Sequence, residues 1–207
     1  MYRTVQEEFW AGQFVSDYIE RNKSQQMLAT KLGWFAKIIS RTTRIESIIE
    51  FGSNIGLNLL ALSRLLPQIV EGGLSAIEIT MDACAELKKI LPNAKLYNQS
   101  ILDFDIDYKR DLVLISGVLI HINPDELKHV YKKLYDCTKK YLLVNEYYNP
   151  TPVEVEYRGH SGKLFKRDFA GEIMDMYPDL QLIDYGFWYH RDNVFPGSDS
   201  VWFLMQK

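Results

Sequence analysis

The stretch RIESIIEFGSNIGLNLLALSRLL, residues 44–66, decides the fold. A short run rich in isoleucine, typical of a buried strand, leads into Gly52 and Gly56, and apolar residues at helical spacing follow from 55 to 66. Pro67 ends this segment because proline cannot continue a helix. The stretch therefore predicts a strand, a tight glycine turn that offers backbone amides to a ligand, and a helix.

The alternation of strand and helix continues to the end of the chain. Apolar runs predict strands at 74–80, 94–100, 110–120 and 140–148, with two closing strands at 181–191 and 200–207. Helical patterns lie between them at 82–91, 123–138 and 166–178. Intervening helices require parallel strands, whereas the closing strands leave no room for a helix and should pair antiparallel at an edge. We predict an α/β, Rossmann-like fold: a seven-stranded, mostly parallel sheet with an antiparallel last strand and helices on both faces.

The N-terminal part of the chain lies outside this alternation. The segments EEFWAGQFVSDYIERN, residues 7–22, and SQQMLATKLGWFAKIIS, residues 24–40, both have helical patterns. We therefore predict a single domain over residues 1–207, in which a helical cap, 1–44, precedes the Rossmann-like core, 45–207.

Composition narrows the class of function. The 207 residues are 47% hydrophobic and carry a net charge of −3, which gives no electrostatic footprint for a nucleic-acid backbone. Cys84 and Cys137 are far apart and unpaired in spacing, so we expect neither a zinc site nor a disulfide, and no other metal site. The polar N-terminus is unlike a signal peptide, and no apolar run approaches the roughly 18 residues of a membrane span. We expect a cytoplasmic protein without nucleic-acid or membrane partners.

An acidic residue, Glu78, lies 26 residues after Gly52 of the glycine turn. Glu78 ends the second predicted strand, where a carboxylate can accept hydrogen bonds from both hydroxyls of a ribose. An adenosine-type ligand is indicated. Asn54 occupies the middle position of the turn, so GSNIGLN does not fit the G-x-G-x-x-G pattern that lets a pyrophosphate approach. The turn suits a ligand that carries an amino-acid tail in place of phosphates.

The segment IIEFGSNIGLNLLAL resembles the first motif of class I S-adenosylmethionine-dependent methyltransferases. Glu50, Gly52 and Gly56 match that motif, and Asn54 departs from its middle glycine. The resemblance implies a cofactor, S-adenosylmethionine, that leaves as S-adenosylhomocysteine. It also implies that the following residues bind it: Glu50, Gly52, Asn54, Gly56, Glu78, Ser100, Ile101, Leu102, Ser116 and Gly117.

A second resemblance spans nearly the whole chain. EEFWAGQFVSDYIERN and EYRGHSGKLFKRDFAGE are similar to the methylases associated with pseudaminic acid biosynthesis in bacteria. This similarity implies a sugar or nucleotide-sugar acceptor in the biosynthesis of bacterial surface glycans built on nonulosonic acids. It also favours a cap that closes over the cofactor, with Tyr18 and Arg21 reaching its carboxylate end; the alternative is that the cap helix only packs against the core.

Two further groups are candidates for the chemistry. His121 follows the fourth strand, and a histidine of near-neutral pKa can take a proton from a hydroxyl or amine that attacks the methyl group. Its alternative role is a hydrogen bond to the backbone of the next helix. The remaining candidates belong to a cationic predicted loop after the fifth strand and to the end of that strand. The loop suits an anionic or sugar-linked acceptor, or is merely solvated. The candidates are Tyr147 and Tyr148 before the loop, and Arg158, His160 and Lys163 within it.

Two alternatives to a methyltransferase remain at this stage. The first is an oxidoreductase that uses a nicotinamide dinucleotide, which Asn54 disfavours. The second is a non-catalytic protein that binds S-adenosylmethionine and acts through a partner. The small-molecule methyltransferase is the preferred hypothesis.

Overall fold

A computed structural model describes residues 2–12 and 24–207. The helices are α1 Val5–Ala11, α2 Gln25–Ile39, α3 Leu57–Leu65, α4 Met81–Ile90, α5 Leu127–Cys137 and α6 Phe169–Met176. The strands are β1 Ile48–Phe51, β2 Leu74–Glu78, β3 Lys95–Asn98, β4 Arg110–Ser116, β5 Thr138–Glu146, β6 Val153–Tyr157, β7 His160–Lys166, β8 Gln181–Trp188 and β9 Ser200–Gln206.

The main sheet has seven strands in the order β3-β2-β1-β4-β5-β9-β8. The first five strands of this sheet are parallel, and β9 pairs antiparallel with both β5 and β8. The Rossmann-like prediction is confirmed, including the antiparallel pairing of the two closing strands. The last strand inserts between β5 and β8, which leaves β8 at the edge.

Helices cover both faces of the sheet, as predicted. One hydrophobic core packs α2, α3 and α4 against one face, and the other packs α5 and α6 against the opposite face. All four residues of β1 and the first six of β4 are buried, as expected of central parallel strands covered on both sides. None of the described helices combines the length and the apolar composition that crossing a membrane requires.

The predicted loop after the fifth strand is instead a β-hairpin. Strands β6 and β7 pair antiparallel in a separate two-stranded sheet. The two residues between the strands, Arg158 and Gly159, have φ of 52° and 82°, the left-handed conformation that a tight hairpin turn requires. The predicted fourth strand also ends earlier than expected, at Ser116, and a 3-10 turn, Leu119–His121, follows.

Candidate active site

A cavity of about 410 Å³ lies at the carboxyl ends of the parallel strands. This is where an open α/β sheet of this topology binds its ligands. Eleven of the predicted site residues line it: Glu50, Gly52, Asn54, Glu78, Ser100, Ile101, Leu102, Ser116, Gly117, His121 and Tyr147. These eleven residues, predicted from separate segments of the chain, therefore meet at one cavity.

The glycine turn between β1 and α3 has an unusual backbone. Gly52, Asn54 and Gly56 all have positive φ, at 75°, 47° and 80°. Asparagine tolerates this region better than most residues, which explains how Asn54 replaces a glycine. At Gly52 a Cβ would lie 2.5 Å from a Val118 methyl carbon, so a side chain would require Val118 to move.

The amides of this turn are already in use. Gly52 N and Ser53 N donate to Ile77 O at 2.9 and 3.0 Å, and Gly56 N donates to Ser53 O at 2.9 Å. Asn54 N donates to Glu78 Oε2 at 2.7 Å. Four amides of the turn are therefore engaged within the protein, contrary to the expectation that the turn offers its amides to a ligand. A phosphate bridge would find them occupied.

Glu78 is buried at the end of β2, with 8% of its surface exposed. Each carboxylate oxygen accepts one amide: Oε2 from Asn54 and Oε1 from Thr80 N at 2.9 Å. Burial raises the pKa of this carboxyl group above its usual value, and the amide hydrogen bonds counteract that effect. Because a carboxylate oxygen can accept two hydrogen bonds, Glu78 retains the capacity to accept two hydroxyl donors from the cavity side.

A second buried carboxyl group, Glu50, belongs to a chain of polar groups. Asn58 Nδ2 donates to Glu50 Oε1 at 2.6 Å, and Lys31 Nζ donates to Asn58 Oδ1 at 2.6 Å. Glu50 Oε2 has no hydrogen-bond partner in the described structure, although the residue is 1% exposed. Burial raises the pKa of Glu50 to about 8 and lowers that of Lys31 to about 8. The unpartnered Oε2 of Glu50 would be satisfied by a hydrogen-bond donor on a ligand.

Helix α1 covers one side of the cavity. Its N-cap Thr4 and Glu7 form a capping box, and the Glu7 carboxylate also accepts the hydroxyl of Ser100 in the segment after β3. On the other side, Gln6 Nε2 donates to Gly162 O at 3.0 Å and Lys163 Nζ donates to Val5 O at 2.9 Å. The helix is thereby joined to both the β3 segment and the β6–β7 hairpin.

His121 lies at the β4–β5 end of the cavity. Its Nδ1 is 2.6 Å from Lys163 O, and since a carbonyl only accepts, Nδ1 donates and Nε2 holds the lone pair of the neutral ring. The ring packs against Trp10 and Tyr157, with centroid distances of 4.4 and 5.1 Å. Burial lowers its pKa to about 4, so the near-neutral pKa expected from the sequence is wrong. His121 is a neutral hydrogen-bond acceptor and a weak base.

Glu146 lies at the same end, at the last position of β5. Its Oε1 accepts Val118 N at 3.0 Å and Leu119 N at 2.9 Å, while Oε2 has only a long contact, 3.5 Å, from Ile120 N. These amides belong to the turn that carries His121. Burial raises the pKa of Glu146 to about 7, which makes it a stronger base than His121 near neutral pH.

The remaining predicted residues lie elsewhere. Gly56 caps α3 without lining the cavity, and Tyr148 is 41% exposed near Phe203 on the sheet. The three charged candidates of the hairpin are also outside the cavity wall. Arg158 lies over the ring of Tyr157, His160 packs against Phe9, and Lys163 donates to α1. Tyr18 and Arg21 lie outside the described residues.

Two ionisable residues of the cavity wall that could act on a ligand were not predicted from the sequence. Lys31 reaches the cavity from α2, a segment whose sequence shows only an amphipathic helix. Glu146 reaches it from the end of β5, where a carboxyl group inside the apolar run YLLVNEYY was a visible anomaly of the kind that identified Glu78. Glu146 could have been found from the sequence, but Lys31 could not.

Comparison of the sequence with protein-family models and with curated proteins finds no match. Solved structures do match. A Leishmania major S-adenosylmethionine-dependent methyltransferase has a TM-score of 0.71 at 13% identity, covering 98% of this chain and 81% of that one. The Burkholderia thailandensis 1,6-didemethyltoxoflavin-N1-methyltransferase, with bound S-adenosylhomocysteine, gives 0.71 at 12%, covering 100% and 92%. The magnesium protoporphyrin IX methyltransferase of Synechocystis, also with that product bound, gives 0.67 at 12%, covering 97% of each chain. This chain has the fold that these methyltransferases share.

Proposed function

We propose that this protein transfers a methyl group from S-adenosylmethionine to a small-molecule acceptor. The observation that carries the proposal is the pair of buried carboxyl groups, Glu78 and Glu50, on either side of a turn whose amides are occupied. One carboxylate suits a ribose and the other an ammonium group. A nucleoside with an amino-acid tail presents both.

The lining residues fit this cofactor. Glu78 has acceptor positions left for the two ribose hydroxyls, and the buried Ile101 and Leu102 offer an apolar surface to an adenine ring. The cavity wall also contains buried polar atoms without hydrogen-bond partners in the described structure. They are Gln6 Oε1, Glu50 Oε2, Ser53 Oγ and Asn54 Oδ1. Unsatisfied polar atoms gathered on one cavity are expected where a polar ligand completes the hydrogen bonding.

A nicotinamide dinucleotide fits the same wall poorly. Its pyrophosphate requires free amides at the strand-to-helix turn, and four of them donate to protein oxygens. Of the described lining residues, the acidic ones are Glu7, Glu50, Glu78 and Glu146, against a single basic one, Lys31. One lysine among four acidic residues offers little to neutralise a polyanionic ligand.

The chain's contribution to catalysis is alignment and proton handling. The cofactor supplies a methyl group on a positively charged sulfur, which leaves as a neutral thioether. The protein must hold the acceptor in line with that methyl group and exclude water, and such positioning is worth on the order of 7–11 kcal/mol. Trp10 on α1 and Tyr157 on the hairpin cover the β4–β5 end of the cavity, where His121 and Glu146 lie.

His121 and Glu146 divide the proton chemistry in this proposal. His121 Nε2 accepts a hydrogen bond from a neighbouring hydroxyl or N–H group of the acceptor and orients it. Glu146, whose pKa is about 7, is the stronger base, and its Oε2, the oxygen with only a long amide contact, takes the proton that the attacking hydroxyl or amine loses as it gains the methyl group. The second alternative, a non-catalytic binding protein, would leave His121 and Glu146 with only their hydrogen bonds to the backbone and no role in proton transfer.

For the acceptor itself we propose a sugar or nucleotide-sugar. The resemblance to the methylases of pseudaminic acid biosynthesis supports this class. The aromatic side chains of Trp10, Tyr147 and Tyr157 line the cavity and suit the apolar face of a sugar ring. An anionic part of the acceptor would have to extend past the wall to reach Arg158 and Lys163 on the hairpin.

Separate calorimetric titrations with S-adenosylhomocysteine and with NAD test the cofactor. We expect the first to bind and the second not to bind, and the reverse result would replace the methyltransferase with an oxidoreductase. An acceptor screen with methyl-deuterated cofactor then tests the reaction, with sugar nucleotides, free nonulosonic acids and amines as candidates. Labelled product, detected by mass, is expected among the sugars. Binding of the cofactor without any labelled product would favour the non-catalytic alternative.

A further inference from the structure

Lys31 is the only lysine or arginine among the described residues that line the cavity. It lies on one face of α2 with Met27, which is four residues before it and also lines the cavity. A ligand anion inside this cavity therefore meets a single fixed cation.

The ammonium group of Lys31 is held in place. Its Nζ donates to Asn58 Oδ1 at 2.6 Å and lies 5.6 Å from the ring centroid of Trp188, which stacks on Trp34 at 4.6 Å. An ammonium group has three N–H donors, and this single hydrogen bond is the one recorded for it in the described structure. Two donors thus remain for a ligand.

Asn58 connects this ammonium group to the carboxyl group of Glu50. The same side-chain amide that accepts from Lys31 donates to Glu50 Oε1, and Glu50 Oε2 is buried without a partner among the described residues. Lys31 and Glu50 are not in contact with each other, since the amide lies between them. The arrangement therefore presents an ammonium donor and an unpartnered carboxyl oxygen, one amide apart, on the same wall.

From this arrangement we infer that Lys31 recognises the α-carboxylate of the amino-acid tail while Glu50 Oε2 recognises its α-ammonium, so that the two residues form a subsite selective for a zwitterion. The inference rests on the proposed function and adds a specificity-determining residue from α2. The zwitterion site, as we name Lys31, Asn58 and Glu50, selects amino-acid-tailed nucleosides against nucleosides that lack either charge.

Burial gives the zwitterion site its selectivity. Desolvation lowers the pKa of Lys31 and raises that of Glu50, and the attraction between the two groups offsets this only in part, so a counter-charge from a ligand favours the charged form of each. A ligand with only a carboxylate or only an ammonium group provides a counter-charge for one of the two residues. A zwitterion provides a counter-charge for both residues, and neither charge of the ligand is then left buried without a partner.

Three compounds separate the contributions: S-adenosylhomocysteine, its decarboxylated analogue and its deaminated analogue. Calorimetric titration at pH 7 measures their affinities for the unsubstituted protein, for Lys31→Met and for Glu50→Gln. We expect Lys31→Met to weaken S-adenosylhomocysteine by about tenfold to a hundredfold, as for a lost charged hydrogen bond, and to change the decarboxylated analogue by less than about twofold. Glu50→Gln should show the mirror pattern, sparing only the deaminated analogue.

The control is Lys37→Met, an exposed lysine on the same helix that does not line the cavity. It should bind all three compounds as the unsubstituted protein does. If Lys31→Met weakens the decarboxylated analogue as much as S-adenosylhomocysteine, Lys31 has a structural role only and the inference is overturned, while the cofactor assignment survives. If the unsubstituted protein does not bind S-adenosylhomocysteine at all, the proposed function itself is lost.

A crystal structure of the unsubstituted protein with S-adenosylhomocysteine gives a second test, which does not depend on any variant being folded. The carboxylate of the ligand should lie within hydrogen-bond distance of Lys31 Nζ, and its nitrogen within that distance of Glu50 Oε2. A carboxylate bound elsewhere on the wall overturns the inference even when the cofactor occupies the cavity.

Discussion

Replacement of Glu78 by glutamine tests the proposed ribose contact most directly. The substitution keeps the size of the side chain and removes its charge. In the protein as it stands, Glu78 accepts Asn54 N at 2.7 Å and Thr80 N at 2.9 Å, one on each oxygen. A glutamine has a single acceptor oxygen, so its NH₂ group must face one of these two backbone N–H groups.

This geometry sets two magnitudes. The backbone N–H that loses its acceptor is buried and unsatisfied, which should lower the free energy of unfolding by about 1–3 kcal/mol. For binding, hydrogen bonds of the ribose to a charged acceptor, worth about 1.5–3 kcal/mol, are replaced by neutral ones of about 0.5–1.5 kcal/mol. The affinity for S-adenosylhomocysteine should therefore fall by about tenfold to a hundredfold.

Calorimetric titration with S-adenosylhomocysteine and with its dideoxyribose analogue separates the two effects. The unsubstituted protein should bind the dideoxyribose analogue more weakly, whereas Glu78→Gln, whose single acceptor oxygen leaves one neutral hydrogen bond to the ribose, should distinguish the two compounds by only about twofold to tenfold. Glu71→Gln is the matched control, because this exposed residue lies in the turn before β2 and does not line the cavity. If Glu78→Gln discriminates between the compounds as strongly as the unsubstituted protein, the carboxylate does not contact the ribose.

Three more predictions follow from the geometry. Because burial raises the pKa of Glu146 from 4.5 to about 7, the folded state binds the proton more tightly, and the contribution of Glu146 to the free energy of unfolding should decline between these pH values and then level off. In denaturant unfolding at a series of pH values, Glu146→Gln should remove this slope, which is up to about 1.4 kcal/mol per pH unit. The control Glu156→Gln, at an exposed position of the hairpin, should keep it. The imidazole of His121 should titrate near pH 4 with its proton on Nδ1, and a nitrogen-resolved NMR midpoint above pH 6 contradicts the buried geometry. Gly52→Ala should lower the thermal unfolding temperature because the added Cβ would lie 2.5 Å from a Val118 methyl carbon. Adding Val118→Ala should restore part of the lost stability but not all of it, since the positive φ still strains alanine. Full recovery would show that the backbone conformation carries no penalty.

The sequence predicted those parts of the molecule whose cause is local. The isoleucine-rich β1 followed by Gly52 and Gly56 identified the first strand, turn and helix, because glycine is favoured where φ is positive. Glu78 was visible as a carboxylate inside an apolar strand. Both features are properties of a few adjacent residues, and the structure places them as expected.

Other features depend on contacts between distant segments. Lys31 meets Asn58 only because α2 packs beside α3, and no pattern within either helix announces that contact. The pKa of His121 is lowered by its burial, in a wall that Trp10 and Tyr157 share from other segments. The occupied amides of the turn likewise follow from how β1 and β2 pair.

The β6–β7 hairpin was missed for a different reason. Its strands alternate between charged and partly buried residues, and in this stretch a run of cations resembles a solvated loop. Only the Arg158–Gly159 pair at the centre indicates a tight turn. The hairpin packs against the short 3-10 turn after β4, an association that the sequence of neither segment predicts.

The way α1 is attached bears on how molecules enter and leave. Its buried residues are Gln6 and Glu7, both polar, and its ties to the hairpin are the Gln6–Gly162 and Lys163–Val5 hydrogen bonds. Lifting this helix exchanges these bonds for water and separates Trp10 from His121 and Tyr157, but it breaks no hydrogen bond between strands of the sheet. Opening of the cavity at α1 should therefore be far faster than global unfolding, and backbone amides of α1 should exchange with deuterium well before those of β4.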